Sequence, residues 1–139
     1  MEYDEWERTV PPVLKGDLLW RVQAYRLAAF LGHCADEDTR RISGDARFVQ
    51  NAAQLCRAAG SIAANTAEAY SRQSKRDRIR FYEYALGSAA EAKTWYLGIR
   101  SALDAPTLDA RLAVLQSITR LLLTMIRSSR GAKPLAHSS

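Results

Sequence analysis

The sequence predicts an all-α protein, an up-down-up-down antiparallel four-helix bundle. Apolar residues recur at helical spacing in four long segments. The 139 residues include only seven glycines and four prolines, and almost nothing interrupts the chain between Leu14 and Arg130. A β-sandwich or barrel needs frequent turn residues, whereas short connections between long helices make successive helices antiparallel neighbours. We therefore divide the chain into an N-terminal extension (1–14), the bundle (15–130) and a flexible tail (131–139).

The first helix is predicted from Lys15 to Ala35, because two apolar stripes follow helical spacing there. The first stripe contains Leu18, Val22, Tyr25 and Ala29, and the second contains Trp20, Ala24, Leu27, Leu31 and Cys34. Two stripes on one helix indicate two buried faces. A polar connector, 36–41, follows and ends near Gly44.

The second helix is predicted from an N-cap at Asp45 to Tyr70. Its seam repeats in alternating steps of four and three: Phe48, Ala52, Leu55, Ala59, Ile62, Thr66 and Ala69. Most of its other apolar side chains are alanine, so neighbouring helices can approach closely. This helix is therefore expected to be central in the bundle.

Ser74, followed three residues later by Asp77, resembles a capping box and opens a third helix, predicted from Lys75 to Ala102. Pro106 marks the first turn of a fourth helix, which is predicted to extend to Ser129. The main stripe of the third helix is Phe81, Ala85, Ser88, Ala92, Trp95 and Ile99, widened by Tyr82, Leu86, Ala89 and Tyr96. The stripe of the fourth is Leu108, Leu112, Leu115, Ile118, Leu122, Met125 and Ile126.

The apolar surface of the first and third helices exceeds the single stripe, about 100° wide, that a monomeric bundle requires. This excess predicts a homo-oligomer in which the outer faces of these helices meet. The predicted contact residues are Trp20, Phe30, Trp95 and Tyr96. The alternative is a tightly packed monomer with a few exposed aromatic side chains.

The net charge of +5 is unevenly distributed along the chain. Residues 1–70 contain eight basic and ten acidic side chains, whereas residues 71–139 contain twelve and five. The most basic stretch is the predicted turn between the second and third helices, with Arg72, Lys75, Arg76, Arg78 and Arg80. Cations in the first turn of a helix oppose its dipole, so this run is a candidate nucleic-acid-binding surface. No base-reading motif accompanies it, which predicts sequence-independent, salt-sensitive binding; the alternative is a solvated charged turn.

Polar residues beside the alanine-rich seam are interpreted as a structural cluster that fixes helix register rather than as catalytic groups. Glu68 and Arg72 have the favourable spacing for an ion pair along the second helix. The predicted cluster consists of Ser61, Asn65, Glu68, Ser88 and Glu91.

The composition argues against an enzyme. The two histidines and two cysteines do not have metal-ligand spacing, and no histidine lies near the acids of the seams. We predict no catalytic residue, no metal and no cofactor, with Cys34 and Cys56 as free thiols. The acidic N-terminus lacks the features of a secretory signal, and no apolar run approaches 18 residues, so the expected location is the cytoplasm, without membrane contact.

Residues 55–72 and 80–91 carry a recognisable combination of motifs. The first contains Ser61-Ile62, Asn65 and Ala67-Glu68, and the second contains Arg80-Phe81 and Ala85-Leu86-Gly87-Ser88 followed by Glu91. The chain thereby resembles the 23S rRNA-intervening-sequence proteins, small bacterial four-helix bundles whose pattern is Ser-Ile-x-x-Asn-Ile-Ala-Glu-Gly, an Arg, then Arg-Phe with Ala-x-Gly-Ser-x-x-Glu. Thr66 departs from the usual Ile, and Ala69 from the usual Gly.

The resemblance implies a homo-oligomer, typically a pentamer with a basic central channel. It also implies kinship with accessory proteins of diversity-generating retroelements, which partner a reverse transcriptase and its RNA. The predicted function is therefore a non-catalytic accessory factor that binds RNA or a ribonucleoprotein. The alternative is a protein-binding scaffold ring that displays its acidic N-terminus and aromatic outer faces and has no nucleic-acid role.

Overall fold

A computed structural model describes residues 1–131, and this part of the chain contains helices and no strand. The predicted all-helical class is confirmed. Gly131 apart, the predicted flexible tail lies outside the described residues. The helices are α1 (Tyr3–Thr9), α2 (Pro12–Lys15), α3 (Gln23–Arg40), α4 (Val49–Ser71), α5 (Lys75–Gly98) and α6 (Ala105–Ser129), with 3-10 turns at Leu18–Arg21 and Arg100–Ala102. None of these helices is long and apolar enough to cross a bilayer.

The four long helices enclose one core. α3 packs against α4 and α6, and α5 packs against the same two helices. Contacts between helix ends give their relative directions: Asn51 at the start of α4 donates to the carbonyl of Gly98 at the end of α5, at 3.3 Å. Arg130, just after α6, likewise lies 3.6 Å from Glu83 in the first half of α5. The chain therefore reverses direction between α4 and α5 and again between α5 and α6.

The seam predicted for the second helix is confirmed on α4. All seven seam residues are buried, from Phe48, which directly precedes α4, to Ala69. The predicted cap of the third helix is also confirmed, because the Ser74 hydroxyl accepts a hydrogen bond from the Asp77 amide at 3.3 Å. Apolar periodicity therefore predicted the buried seam of α4, and local capping chemistry predicted the start of the third long helix.

Four predicted helix boundaries are wrong. The first long helix starts at Gln23 rather than Lys15, because Val22 is extended (φ −82°, ψ 107°), and it continues through the supposed connector to Arg40. Asp45 does not cap α4, which begins at Val49; its carboxylate instead accepts from the Arg47 amide at 3.0 Å. The third long helix ends at Gly98, and a 3-10 turn completes the segment.

The predicted aromatic contact surface requires correction. Tyr96 is completely buried, and Phe30 is only 5% exposed, beneath the N-terminal segment. Trp95 is partly buried against the main core, and Trp20 is partly buried against a smaller cluster formed by Trp6, Val10, Phe30 and Cys34 of the same chain. Most of the wide apolar surface is used within one subunit, since each long helix packs against two others; Leu18 of the first stripe lies before α3 and is 56% exposed. Apolar width alone therefore does not indicate an interface between subunits here.

The N-terminal extension packs back onto α3. Trp6 and Val10 are buried with Phe30 and Cys34 in a second hydrophobic cluster. The Trp6 ring lies 5.5 Å from the Phe30 ring, and the Trp20 indole donates to the Glu7 carboxylate at 3.2 Å. The segment thus covers an apolar face of α3.

Replacing Trp6 with alanine is expected to expose Cys34, which is only 1% exposed in the native chain. Loss of a buried tryptophan costs about 3–5 kcal/mol, which is larger than the free energy that typically holds a short terminal helix in place. In a Cys56→Ser background, we expect alkylation of Cys34 to become at least about tenfold faster. The rate is measured by mass spectrometry against Leu14→Ala, a change at an exposed site of the same extension. An unchanged rate would mean that Trp6 does not hold the segment in place.

Candidate nucleic-acid interface

A three-residue connection between α4 and α5 positions the basic run. α4 ends at Ser71, Arg72 is extended (φ −82°, ψ 137°), and Ser74 starts the next helix as its cap. Four of the five predicted cations are consequently exposed on this turn and the start of α5: Arg72, Lys75, Arg76 and Arg80. We call these four residues and Arg78 the basic turn.

Arg78 differs from the other four cations. It is half-buried, and its guanidinium donates to the carbonyls of Gln73 at 3.0 Å and Arg72 at 3.4 Å. These carbonyls follow the end of α4 and lack helical partners. Arg78 therefore fastens the connection, and its side chain is less available to a ligand than sequence analysis predicted.

The acidic side chains around the basic turn, Glu68, Asp77 and Glu83, each form an exposed ion pair with an arginine. Arg72 lies 3.1 Å from Glu68, Arg80 lies 3.5 Å from Asp77, and Arg130 of the α6 terminus lies 3.6 Å from Glu83. Exposed pairs of this kind contribute about 0–1 kcal/mol each. Within residues 1–131, Lys75 and Arg76 form no ion pair, so the excess positive charge is concentrated on them.

The basic turn borders a shallow surface depression lined by Lys75, Arg76, Ile79, Arg80 and Glu83. Its lining combines three cations with the apolar side chain of Ile79 and with one carboxylate, Glu83, which pairs with Arg130. Lysine and arginine at such a site can neutralise phosphate oxygens without selecting a base. The arrangement therefore suits a polyanion backbone.

An aromatic ring adjoins the basic turn. The guanidinium carbons of Arg72 and Arg80 lie 4.9 Å and 5.1 Å from the centre of the Phe81 ring. The Tyr84 ring meets Phe81 edge-on, with ring centres 5.5 Å apart. Cation–π and edge-to-face contacts thus hold both arginines and Tyr84 around one half-buried phenylalanine.

The predicted polar cluster does not come together as one network. On α4, the Asn65 amide donates to the Ser61 carbonyl at 3.0 Å, and Glu68 pairs with Arg72. On α5, Ser88 is half-buried and Glu91 is exposed. In the described part of the chain, no side-chain hydrogen bond joins either α5 residue to the α4 group. The α4 contacts are local to that helix.

A different polar network lies inside the core, and sequence analysis missed it. Asp38 at the end of α3 is completely buried. Its carboxylate accepts a hydrogen bond from the Tyr96 hydroxyl at 2.8 Å and two from the Arg111 guanidinium, at 2.8 Å and 3.1 Å. The three side chains join α3, α5 and α6.

Burial and the neighbouring Asp38 carboxylate raise the pKa of Tyr96 above its ordinary value, and the hydrogen bond with Asp38 raises the pKa of Arg111. Tyr96 therefore stays a neutral donor, and Arg111 stays charged. Both donors are directed at one carboxylate in the core, which is the arrangement of a structural ion pair. Among residues 1–131, no group of three or more His, Cys, Asp or Glu residues could hold a metal ion.

Known proteins resemble this chain over a range that includes both the basic turn and the buried network of Asp38, Tyr96 and Arg111. The profile of the 23S rRNA-intervening sequence protein family matches residues 35–123. The chain belongs to this family. A search of curated proteins found no match. The chain is also similar to a crystal structure described as a protein of unknown function from the S23 ribosomal protein family of Bacteroides thetaiotaomicron, with a TM-score of 0.69 and 23% identity, over 75% of this chain and 98% of that one. At this identity the likeness concerns the fold.

The matched range of the 23S rRNA-intervening sequence protein family includes the basic turn and the buried network, whereas α1 and α2 precede it. In this family member, the motif residues Ile62, Thr66 and Ala69 are all fully buried on α4. The Thr66 hydroxyl donates to the backbone carbonyl of Ile62 at 2.7 Å. Its hydrogen bond is therefore satisfied within the same helix although the side chain is buried. This part of the motif therefore serves packing, and the exposed chemistry follows it at the basic turn.

Proposed function

We propose that this family member is a non-catalytic accessory factor that binds RNA or a ribonucleoprotein through the basic turn. The observation that carries the proposal is the position of Lys75 and Arg76. Both are exposed in the first turn of α5, and neither forms an ion pair within residues 1–131. Cations at a helix N-terminus cost about 0.3–1 kcal/mol each, and a surface that accepts this cost is suited to an anionic ligand.

The proposed particle is a homo-oligomer, a pentamer as the family resemblance implies, built from up-down-up-down four-helix bundles. Support for the bundle comes from the contacts between Asn51 and Gly98 and between Glu83 and Arg130, which join opposite ends of successive helices. In a ring of five copies the basic turn is repeated five times. Binding along a phosphate backbone then gains from every copy that contacts it. A reverse transcriptase is the proposed protein partner.

The alternative function, a protein-binding scaffold ring, is less well supported. That hypothesis relies on aromatic outer faces, but Phe30 and Tyr96 are buried within the chain, and Trp6 is only 8% exposed. The N-terminal acids Asp4 and Glu5 remain exposed. An acidic surface alone gives less support to a scaffold than the basic turn gives to RNA binding.

Reversing the charge of Lys75 and Arg76 together, as Lys75→Glu with Arg76→Glu, is expected to weaken RNA binding at least about tenfold near 0.1 M salt. It should also flatten the slope of log K against log salt, because fewer counterions are released. Fluorescence anisotropy with a labelled RNA of mixed sequence measures both. Arg78 is left unchanged, because it holds the connection between α4 and α5.

The matched control is Arg57→Glu with Arg100→Glu, which makes the same charge change at exposed positions elsewhere on α4 and after α5. Arg57 lies about 22 Å along the helix from Arg72, at about 1.5 Å per residue. If both pairs weaken binding equally, net charge rather than the basic turn binds RNA. If the wild-type protein does not bind RNA at low salt, the proposed function is wrong.

A further inference from the structure

The exposed aromatic side chains of this protein coincide with its basic turn. All twelve Trp, Tyr and Phe residues fall within residues 1–131, and ten of them are buried or half-buried. The two exposed ones are Tyr70, at 43%, and Tyr84, at 51%. Tyr70 lies two residues before Arg72, and Tyr84 lies one helical turn after Arg80. Aromatic rings are thus left in solvent only on the two sides of the basic turn.

We propose that Tyr84 and the guanidinium groups of Arg72 and Arg80 form a stacking surface that binds unpaired bases, so that the protein selects single-stranded over double-stranded RNA. This inference rests on the proposed function and specifies its ligand. Proteins that bind single strands without sequence preference combine a positive surface with rings or guanidinium planes on which bases stack. A duplex offers its phosphates but keeps the faces of its bases within the helix.

The geometry provides both kinds of contact on one helix. Lys75 and Arg76 begin α5, and Tyr84 follows two turns later, about 12 Å from Arg76 along the axis. Arg80 lies between them, bordering the surface depression and stacked on Phe81. A strand that runs along α5 would place its phosphates against the first turn and its bases against the stacking surface.

Packing does not explain the exposure of Tyr84. Its one aromatic contact is edge-on with Phe81, which leaves a ring face in solvent. Phe81 already packs against the core without it, whereas Tyr82, on the opposite side of the helix, is buried. An acidic protein could pair with the cations of the basic turn, but carboxylates gain little from an exposed tyrosine ring. The combination therefore favours a ligand that has both phosphates and aromatic bases.

The test compares an unstructured 20-nucleotide RNA with the same strand annealed to its complement, bound by wild type, Tyr84→Leu and Tyr84→Phe. We expect wild type to bind the single strand more tightly than the duplex. Tyr84→Leu, which keeps an apolar side chain but removes the ring, should weaken single-strand binding about 5- to 100-fold and leave duplex binding unchanged. Tyr84→Phe, which keeps the ring, should bind like wild type. Tyr70→Leu, which removes the other exposed tyrosine ring, is the matched control and should bind both RNAs like wild type. Circular dichroism checks that each variant is folded.

The outcomes separate the two proposals. If wild type binds both RNAs equally and Tyr84→Leu changes neither, while Lys75→Glu with Arg76→Glu weakens both, the stacking surface is wrong and the RNA-binding function stands. If neither RNA binds, both proposals fail. If polyglutamate competes as effectively as the single strand per charge, the ligand of the basic turn is an acidic polypeptide and the inference is overturned.

Discussion

Replacing Asp38 with alanine is expected to lower the free energy of unfolding by about 3–5 kcal/mol. The carboxylate is completely buried and accepts three hydrogen bonds, one from Tyr96 and two from Arg111. Without it, a guanidinium that is only 13% exposed would have no counter-charge, and a buried hydroxyl would lose its acceptor. Since domains are usually stable by about 5–15 kcal/mol, the loss should be a large fraction of the total. Urea denaturation followed by circular dichroism measures it.

The matched control for this change is Asp36→Ala on the same helix. Asp36 forms an ion pair with Arg40 at 2.7 Å, but both side chains are more than half exposed, so its loss should cost less than about 1 kcal/mol. A double-mutant cycle of Asp38→Ala and Arg111→Ala should show strong coupling between the two positions. Equal costs for Asp38→Ala and Asp36→Ala would contradict a structural role of the buried network.

The core of the fold was predictable because it depends on local periodicity. The α4 seam from Phe48 to Ala69 is buried throughout, as its alternating steps indicate, and Ser74 caps α5 as its spacing from Asp77 indicates. Boundaries were less predictable. Asp45 has a side chain suited to an N-cap, but in the structure its carboxylate pairs with Arg47. Because an aspartate can either cap a helix or pair with a nearby arginine, its presence alone does not locate the start of the helix.

The buried network was missed because its residues look polar and local in the sequence. The run from Asp36 to Arg41 suggests a loop, although the step of four from Cys34 to Asp38 continues the helical stripe of α3. That continuation is a signal that could have found Asp38. Its partner Arg111 could not be found in the same way, because 73 residues separate them and their pairing depends on which helices adjoin.

The error over the aromatic residues has the opposite cause. Tyr96 and Phe30 lie on helices with wide apolar surfaces, which favoured an interface between subunits. In the structure, α5 needs this width to pack against both α4 and α6, and Phe30 is covered by Trp6 of the N-terminal extension. The apolar periodicity of α3 does not show that a segment distant in the sequence packs on one of its faces. Tyr84, by contrast, is exposed, and its ring contacts Phe81 beside the basic turn.

Raising the pH from 8 to 11 is expected to destabilise the fold by about 3–4 kcal/mol through Cys34 and Tyr96 alone. Burial raises the pKa of Cys34 from 9.0 to about 11, and burial together with Asp38 raises the pKa of Tyr96 above 10.0. In both cases the unfolded chain releases the proton at a lower pH than the folded chain. Stability is therefore intact below pH 9 and falls as the pH rises, by about 1.4 kcal/mol per pH unit for each group that ionises only when unfolded. By pH 11, Cys34 should account for about 2 kcal/mol and Tyr96 for about 1.4 kcal/mol.

Urea denaturation at pH 8, 9, 10 and 11 tests this dependence and assigns it to residues. Cys34→Ala should lose about 2 kcal/mol less stability than wild type over that range, and Tyr96→Phe should reduce the loss only above pH 10. The control is Cys56→Ala, which removes the exposed thiol of α4. Constant stability of the wild type from pH 8 to 11 would show that these two groups are not buried as protonated side chains. A loss that Cys34→Ala and Cys56→Ala reduce equally would show that burial is not its cause. The expected difference between the two cysteine variants depends on α1, because Trp6 helps to bury Cys34.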